Sequence, residues 1–123
     1  MEQKFFICKH CGNVVWKVVD KGVPVMCCGQ KMEELIPGTT DAAQEKHVPA
    51  IKRDGDKVTI TVGSVVHPML EEHSITMIAA VSGDTVTVRF PKPGDEPTLT
   101  VDSKEPVTAY EICNLHGFWK GEE

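Results

Sequence analysis

The sequence contains no run approaching the ~18 consecutive apolar residues that a membrane-spanning helix requires. It contains nothing that reads as an export signal. The short apolar patch Phe5, Phe6, Ile7 is followed by Cys8, where an apolar signal core would have to continue. A basic patch is also missing. Lys and Arg number 13 against 18 Asp and Glu, for a formal net charge of −5. Residues 38–123 carry a net −6 against +1 for residues 1–37, so nucleic acid is excluded as a partner and membrane association is not expected. Internal repeats and low-complexity tracts are absent, and no long helical periodicity is evident. The cysteine count of five is odd, which argues against a disulfide framework in a chain without an export signal. A cytoplasmic protein with reduced thiols is the expectation.

What is present is concentrated. All five cysteines and four of the five histidines fall into two clusters. The first is Cys8-x2-Cys11, then fifteen residues, then the adjacent pair Cys27-Cys28. Four thiolates suit a tetrahedral zinc or a single iron, and the spacing does not choose between them, although zinc knuckles are the commoner case. Gly12 and Gly29 each follow a candidate ligand, where a glycine lets the backbone turn tightly. His10 reads as a solvent-facing spacer.

The second cluster is dispersed: Glu45-Lys46-His47, His67-Pro68, His73, and Cys113-Asn114-Leu115-His116. Four imidazoles and one thiolate fill five positions, so an octahedral metal keeps a sixth open beside a soft ligand. Neutral imidazoles suit Fe(II), and a thiolate pushes electron density onto the metal. Lys46 is either a local positive charge for a small anion or a solvated loop lysine. Glu45 either approaches the open position or is a solvated carboxylate. Trp16, Trp119, Phe118 and Tyr110 read as packing residues. On the residues alone three functions remain open: redox chemistry on a small molecule at the open metal, electron carriage, or a zinc-stabilised binding module. Colour separates the last, because iron–thiolate protein absorbs visible light and zinc protein does not.

The chain's 123 residues, 41% of them hydrophobic, allow one ordinary domain or one domain with a small satellite. Residues 1–37 read as a metal-nucleated module with strand-like pieces at 4–8, 14–19 and 23–26. Such a segment buries too little apolar surface to fold alone. Pro37-Gly38-Thr39-Thr40-Asp41 has the chemistry of a linker, with one helical turn expected over 42–46. Beyond it, residues 38–123 become β-patterned. Val58, Ile60 and Val62 alternate with polar neighbours, as do Val86, Val88 and Phe90. Further strands are expected at 74–81, 98–101 and 107–113. Turns are expected at Asp54-Gly55 and Ser82-Gly83-Asp84, and a proline-marked loop at Pro91, Pro93 and Pro97. The expected fold class is mainly β: a small metal-binding N-terminal domain followed by an immunoglobulin-like antiparallel β-sandwich of six or seven strands.

Taken together, Cys8-Lys9-His10-Cys11-Gly12, Cys27-Cys28-Gly29, Thr39-Thr40-Asp41-Ala42-Ala43, Glu45-Lys46-His47-Val48-Pro49, His67-Pro68-Met69, Glu72-His73 and Cys113-Asn114-Leu115-His116-Gly117 resemble the desulfoferrodoxin family of two-iron superoxide reductases. The resemblance runs nearly the whole length of the chain, in the family's order. It implies a desulforedoxin-like first domain holding iron through Cys8, Cys11, Cys27 and Cys28. It implies a second iron in the sandwich, with His47, His67, His73 and His116 roughly in a plane and Cys113 axial. By the same resemblance, Glu45 would occupy the sixth position on oxidised iron, and Lys46 would guide superoxide and stabilise what it becomes there. The implied reaction takes superoxide, one electron and two protons to hydrogen peroxide without releasing dioxygen, in defence against oxidative stress. A rubredoxin-type electron donor and a homodimer are implied as partners.

Overall fold

The computed structural model describes residues 2–38, 47–62 and 69–123. The helical turn expected over 42–46, and the candidates Glu45, Lys46 and His67, lie outside the described residues. Every regular element among the described residues is a strand, so the expected mainly-β antiparallel class is what the chain adopts. No helix among them is long and apolar enough to cross a membrane. The chain divides into two compact units, Met1–Ile36 and Pro37–Glu123.

The first unit is built on three short antiparallel strands in the order β2-β1-β5: β1 (Lys4–Ile7), β2 (Val14–Lys17) and β5 (Glu33–Glu34). A two-residue hairpin, β3 (Met26–Cys27) with β4 (Gln30–Lys31), completes it. Its apolar interior is small. Phe5 stacks on its cross-strand neighbour Trp16 with ring centroids 6.1 Å apart, and Cys8 and Met32 are the other buried apolar side chains. The strand expected over 23–26 is reduced to Met26 and Cys27. Pro24 has no N–H to give a ladder, and Val23 stays exposed.

Among the described residues the second unit is a seven-stranded sandwich. One sheet has the order β10-β7-β6, from β6 (Pro49–Asp54), β7 (Lys57–Val62) and β10 (Thr98–Asp102). The other has the order β12-β11-β8-β9, from β8 (Ile75–Ser82), β9 (Thr85–Arg89), β11 (Val107–Cys113) and β12 (Gly117–Glu122). Alternation places Val58, Ile60, Val62 and Leu99 of one sheet against Ile75, Ile78, Ala80, Val107 and Ala109 of the other, in a single core. Cys113 belongs to that same core. The pairing of β11 with β8 slips between Ile112 and Cys113, leaving Thr76 without an opposite residue. Such a bulge re-aims the side chains beside it, here at the end of β11 that carries the thiol.

The strands run so that His47, the start of β8, the end of β11 and the start of β12 share one end of the sandwich. The opposite end is tied by Arg53. Its guanidinium donates to both carboxylate oxygens of Glu123, at 2.6 and 2.9 Å, and to the carbonyls of Ser103 and Glu105, at 2.6 and 2.7 Å. The Val107 N–H donates to the same carboxylate at 2.9 Å. This fork closes the end of β12 against the loop that enters β11.

The Arg53 hydrogen bonds, with the Val107 amide, hold the Glu123 carboxyl down to about 2 from its ordinary 4.5. A depressed carboxyl contributes stability in full above its ordinary value and loses it as pH falls towards the folded-state value. Arg53→Met is therefore expected to lower the denaturation midpoint at neutral pH and to flatten the fall in stability between pH 4.5 and about 2. Matched urea titrations of the two proteins at several pH values check this, and equal slopes would remove the fork from acid sensitivity.

Candidate metal centres

In the first unit the chain turns sharply after β1. The Gly12 N–H donates to the Cys8 carbonyl and the Cys8 N–H to the Asn13 carbonyl, both at 2.8 Å, which brings Cys8 and Cys11 to one side. Neighbouring residues of an extended chain point to opposite faces, so Cys27 and Cys28 converge only because Cys28 leaves the strand conformation. Its φ is 53°, the one left-handed non-glycine residue among those described. That conformation costs a residue with a Cβ roughly 1–2 kcal/mol. Its effect is to aim both sulfurs at Cys8 and Cys11.

The four Sγ atoms lie within 4.8 Å of one another. A tetrahedral site with metal–sulfur bonds of ~2.3 Å has edges of about 3.8 Å. The Cys11–Cys27 and Cys27–Cys28 separations, 3.6 and 4.0 Å, bracket that value. Backbone N–H groups of Cys11 and His10 hold the Cys8 thiol down to about 6, Cys11 contributing most. The same crowding pushes Cys28 up to about 12, chiefly through Cys11, and raises Cys27 as well. The Cys8 thiolate forms readily here, whereas Cys27 and Cys28 resist ionisation until a cation compensates them, as expected of a metal site. The cysteines are all free of disulfides, and His10 is exposed, consistent with a spacer.

In the second unit His47, His73, Cys113 and His116 bring their donor atoms within 4.8 Å of one another. His47 precedes β6, His73 precedes β8, Cys113 ends β11, and His116 lies in the turn to β12. The Nε2 of His47 and the Nδ1 of His116 face each other at 3.0 Å. Two ligands at right angles with bonds of about 2.1 Å stand about 3.0 Å apart, so this pair fits one metal ion. The Cys113 sulfur is 3.7 Å from the same Nδ1. Cys113 and His47 are buried at 1% and 2% exposure, whereas His116 is exposed. The site is therefore dry on the thiol side and open to water beside His116. Gly117, with φ 86°, supplies the backbone reversal that returns the chain into β12 directly after His116.

Side chains that the sequence reading treated as packing, or did not single out, complete the arrangement. The Trp119 ring stacks on His47, with centroids 5.0 Å apart and planes 17° from parallel, and its indole N–H donates to the His116 carbonyl at 3.0 Å. The contact depends on which strands are neighbours, and no local pattern announces it. Asn114 clasps the loop that carries His73: its Oδ1 accepts from the Ser74 N–H at 3.0 Å, and its Nδ2 donates to the Glu72 carbonyl at 3.1 Å. Its position between two ligand candidates was the available signal. Glu111 is fully buried two residues before Cys113, with no sequence signal to mark it.

One cluster made wholly of sulfur and a second dominated by imidazole, on separate β units, define a protein with two candidate metal centres. The particular family follows from comparison. The family profile described as desulfoferrodoxin matches residues 39–122. The desulfoferrodoxin of Nitratidesulfovibrio vulgaris is 43% identical over 122 residues, covering 98% of this chain and 97% of that one. The solved superoxide reductase of Treponema pallidum superposes with a TM-score of 0.80 at 31% identity, covering 98% of both chains. A superoxide reductase of the 1Fe type from Giardia intestinalis covers 65% of this chain and 98% of its own, with a TM-score of 0.59 and 32% identity. The chain belongs to the desulfoferrodoxin family, and its four-cysteine and histidine–cysteine sites correspond to that family's two iron centres.

Asn114→Ala removes two hydrogen bonds that join the His73 loop to the Cys113 turn. It is expected to cost about 1–3 kcal/mol of stability and to speed iron loss from the histidine site more than from the cysteine site. Denaturant titration and chelator-driven iron release measure the two effects, and equal acceleration at both sites would separate Asn114 from His73.

Proposed function

We propose that this chain is a superoxide reductase acting at the histidine–cysteine centre. The observation that carries the proposal is the convergence of His47, His73 and His116 nitrogens with the buried Cys113 sulfur at one end of the sandwich, exposed on the His116 side. Similarity to solved proteins named superoxide reductases supports it. In this reading His67 is the fourth imidazole ligand, Glu45 the ligand of the sixth position in the oxidised state, and Lys46 the cation that draws superoxide in.

Iron held by these residues would supply one-electron chemistry, by which superoxide with one electron and two protons becomes hydrogen peroxide with no dioxygen released. The protein's part is to prepare the place. Cys113 lies at the end of an apolar core, so its sulfur is kept from water and from other thiols. Imidazole ligands add no negative charge, so bound iron would keep this centre positive in an otherwise acidic protein and attract a small anion locally. Lys46 adds to that attraction and directs a hydrogen bond to the incoming oxygen. Water on the exposed His116 side delivers the protons.

The first unit serves as a desulforedoxin-like iron module over residues 1–37, and residues 38–123 form the catalytic domain. The Giardia relative, of the 1Fe type and matching 65% of this chain over 98% of its own, supports that division. A rubredoxin-type carrier returns the electron. The chain works as a cytoplasmic homodimer, a reading supported by the exposed apolar side chains Val18, Val19, Val23 and Met26 and by the free edge of β2.

The test is a superoxide pulse delivered to reduced protein of known iron content. One peroxide per superoxide consumed and no dioxygen evolved is the expected result; dioxygen in half the yield would make it a dismutase, and iron that stays ferrous would make it a carrier. Lys46→Ala should retain iron and slow superoxide capture about tenfold at low salt, and an unchanged second-order rate there would sink the steering role. Cys113→Ser should lose activity even where iron is retained, and wild-type turnover in that variant would refute the thiolate's part.

A further inference from the structure

We infer that Trp119 is a positioning residue for the histidine–cysteine centre, and that Gly38 is the residue that lets it be one. The inference rests on the reading that this cluster holds iron, and it concerns how the chain sets the ligand directions.

A metal ligand whose ring can swing gains little from proximity. Imidazoles at such sites are held by partners behind them, and removing those partners weakens binding 10–100-fold. His47 and His116 belong to distant parts of the chain, and Trp119 touches both. Its ring lies nearly parallel to His47 and fixes that ring's plane by contact, while the Nε1–H donates to the His116 carbonyl at 3.0 Å and fixes the backbone from which the second imidazole projects. Those two histidines are the pair whose nitrogens stand 3.0 Å apart. One indole thus governs both members of the closest ligand pair.

The indole is itself held in place from behind. The backbone of Gly38 runs alongside β12, its N–H donating to the Phe118 carbonyl at 2.9 Å and its carbonyl accepting from the Lys120 N–H at 2.8 Å. These two bonds flank Trp119 and lay residue 38 against the ring. A Cβ at position 38 would lie 2.6 Å from Cε3 and 2.7 Å from Cζ3 of the indole, closer than such contacts allow, with backbone hydrogen bonds opposing any retreat. The turn-like sequence Pro37-Gly38 therefore acts as a backing plate: glycine is required for close approach, and its φ is not in question. Gly38, Trp119 and His47 form a stack in which each layer sets the next.

The structure distinguishes this role from ordinary packing by where the effect is felt. A space-filling tryptophan alters the melting temperature and leaves the metal alone. A positioning tryptophan alters the metal site at temperatures where the fold is intact. Trp119→Phe keeps a ring against His47 and loses the donor to His116; Trp119→Leu loses both; Gly38→Ala keeps the indole but displaces it. In chelator-driven release of Fe(II) from the histidine site of the full chain, measured well below melting, Trp119→Phe should release iron up to tenfold faster than wild type. Trp119→Leu and Gly38→Ala should approach a hundredfold, with a shifted thiolate-to-iron absorption band in the oxidised protein. Release rates and band positions equal to wild type in folded Gly38→Ala and Trp119→Phe proteins overturn the inference, whether or not the leucine variant folds. Wild-type protein that takes no iron at the histidine site would overturn the parent reading, and the two failures are distinguished by which protein shows them.

Discussion

Everything in the second unit depends on holding four metal-binding donor atoms together at one end of the sandwich. The nitrogens of His47 and His116 stand 3.0 Å apart, with the Cys113 sulfur 3.7 Å from the latter. A single imidazole proton can bridge the two nitrogens, and one cation can take all four donor atoms at once. A flexible loop would relax away from such an arrangement. The sandwich does not, because each donor projects from or beside a strand end whose position is fixed by the core beneath. The Arg53–Glu123 fork at the far end serves the same geometry by keeping β12 from peeling.

The two units meet this constraint differently. The sandwich has a continuous apolar core drawn from both sheets, and that core supports the strand ends that carry the ligands. The first unit has little besides Phe5, Cys8 and Met32 inside it, and it carries a left-handed cysteine. There the metal contributes to folding as much as folding contributes to the metal. The all-sulfur centre is bound to its module's stability, and the histidine centre is free to be tuned for chemistry.

The sequence made the ligands legible because cysteine and histidine are few in this chain and almost all are used. The core strands were legible through alternation, Val58-x-Ile60-x-Val62 above all. Strands β6 and β12 were not anticipated. Lys52, Arg53 and Asp54 expose one, and Gly117, Lys120 and Gly121 deprive the other of a β-like pattern; both form because a neighbouring strand offers a ladder. Gly38 read as a linker residue because its pairing to β12 is a parallel bridge some eighty positions away in the chain. Trp119 read as packing, and packing it is, but against His47, a partner that only the approach of β12 to β6 supplies. Site features built from single rare residues survive in one dimension; those built from the crossing of distant strands do not.

The placement of Cys113 in the core by strand alternation has a consequence for how this chain can vary. Val107, Ala109 and Cys113 share the inward face, so the number of residues separating the entry of β11 from its thiol is fixed in parity. Deleting or inserting one residue inside that strand turns the sulfur out to the opposite face, and no side-chain adjustment restores it. Changes of two residues preserve the face but move the thiol by about 7 Å, out of reach of the histidines. Loops elsewhere in the sandwich can drift in length, while this strand is a ruler on which neither an odd nor an even error is harmless.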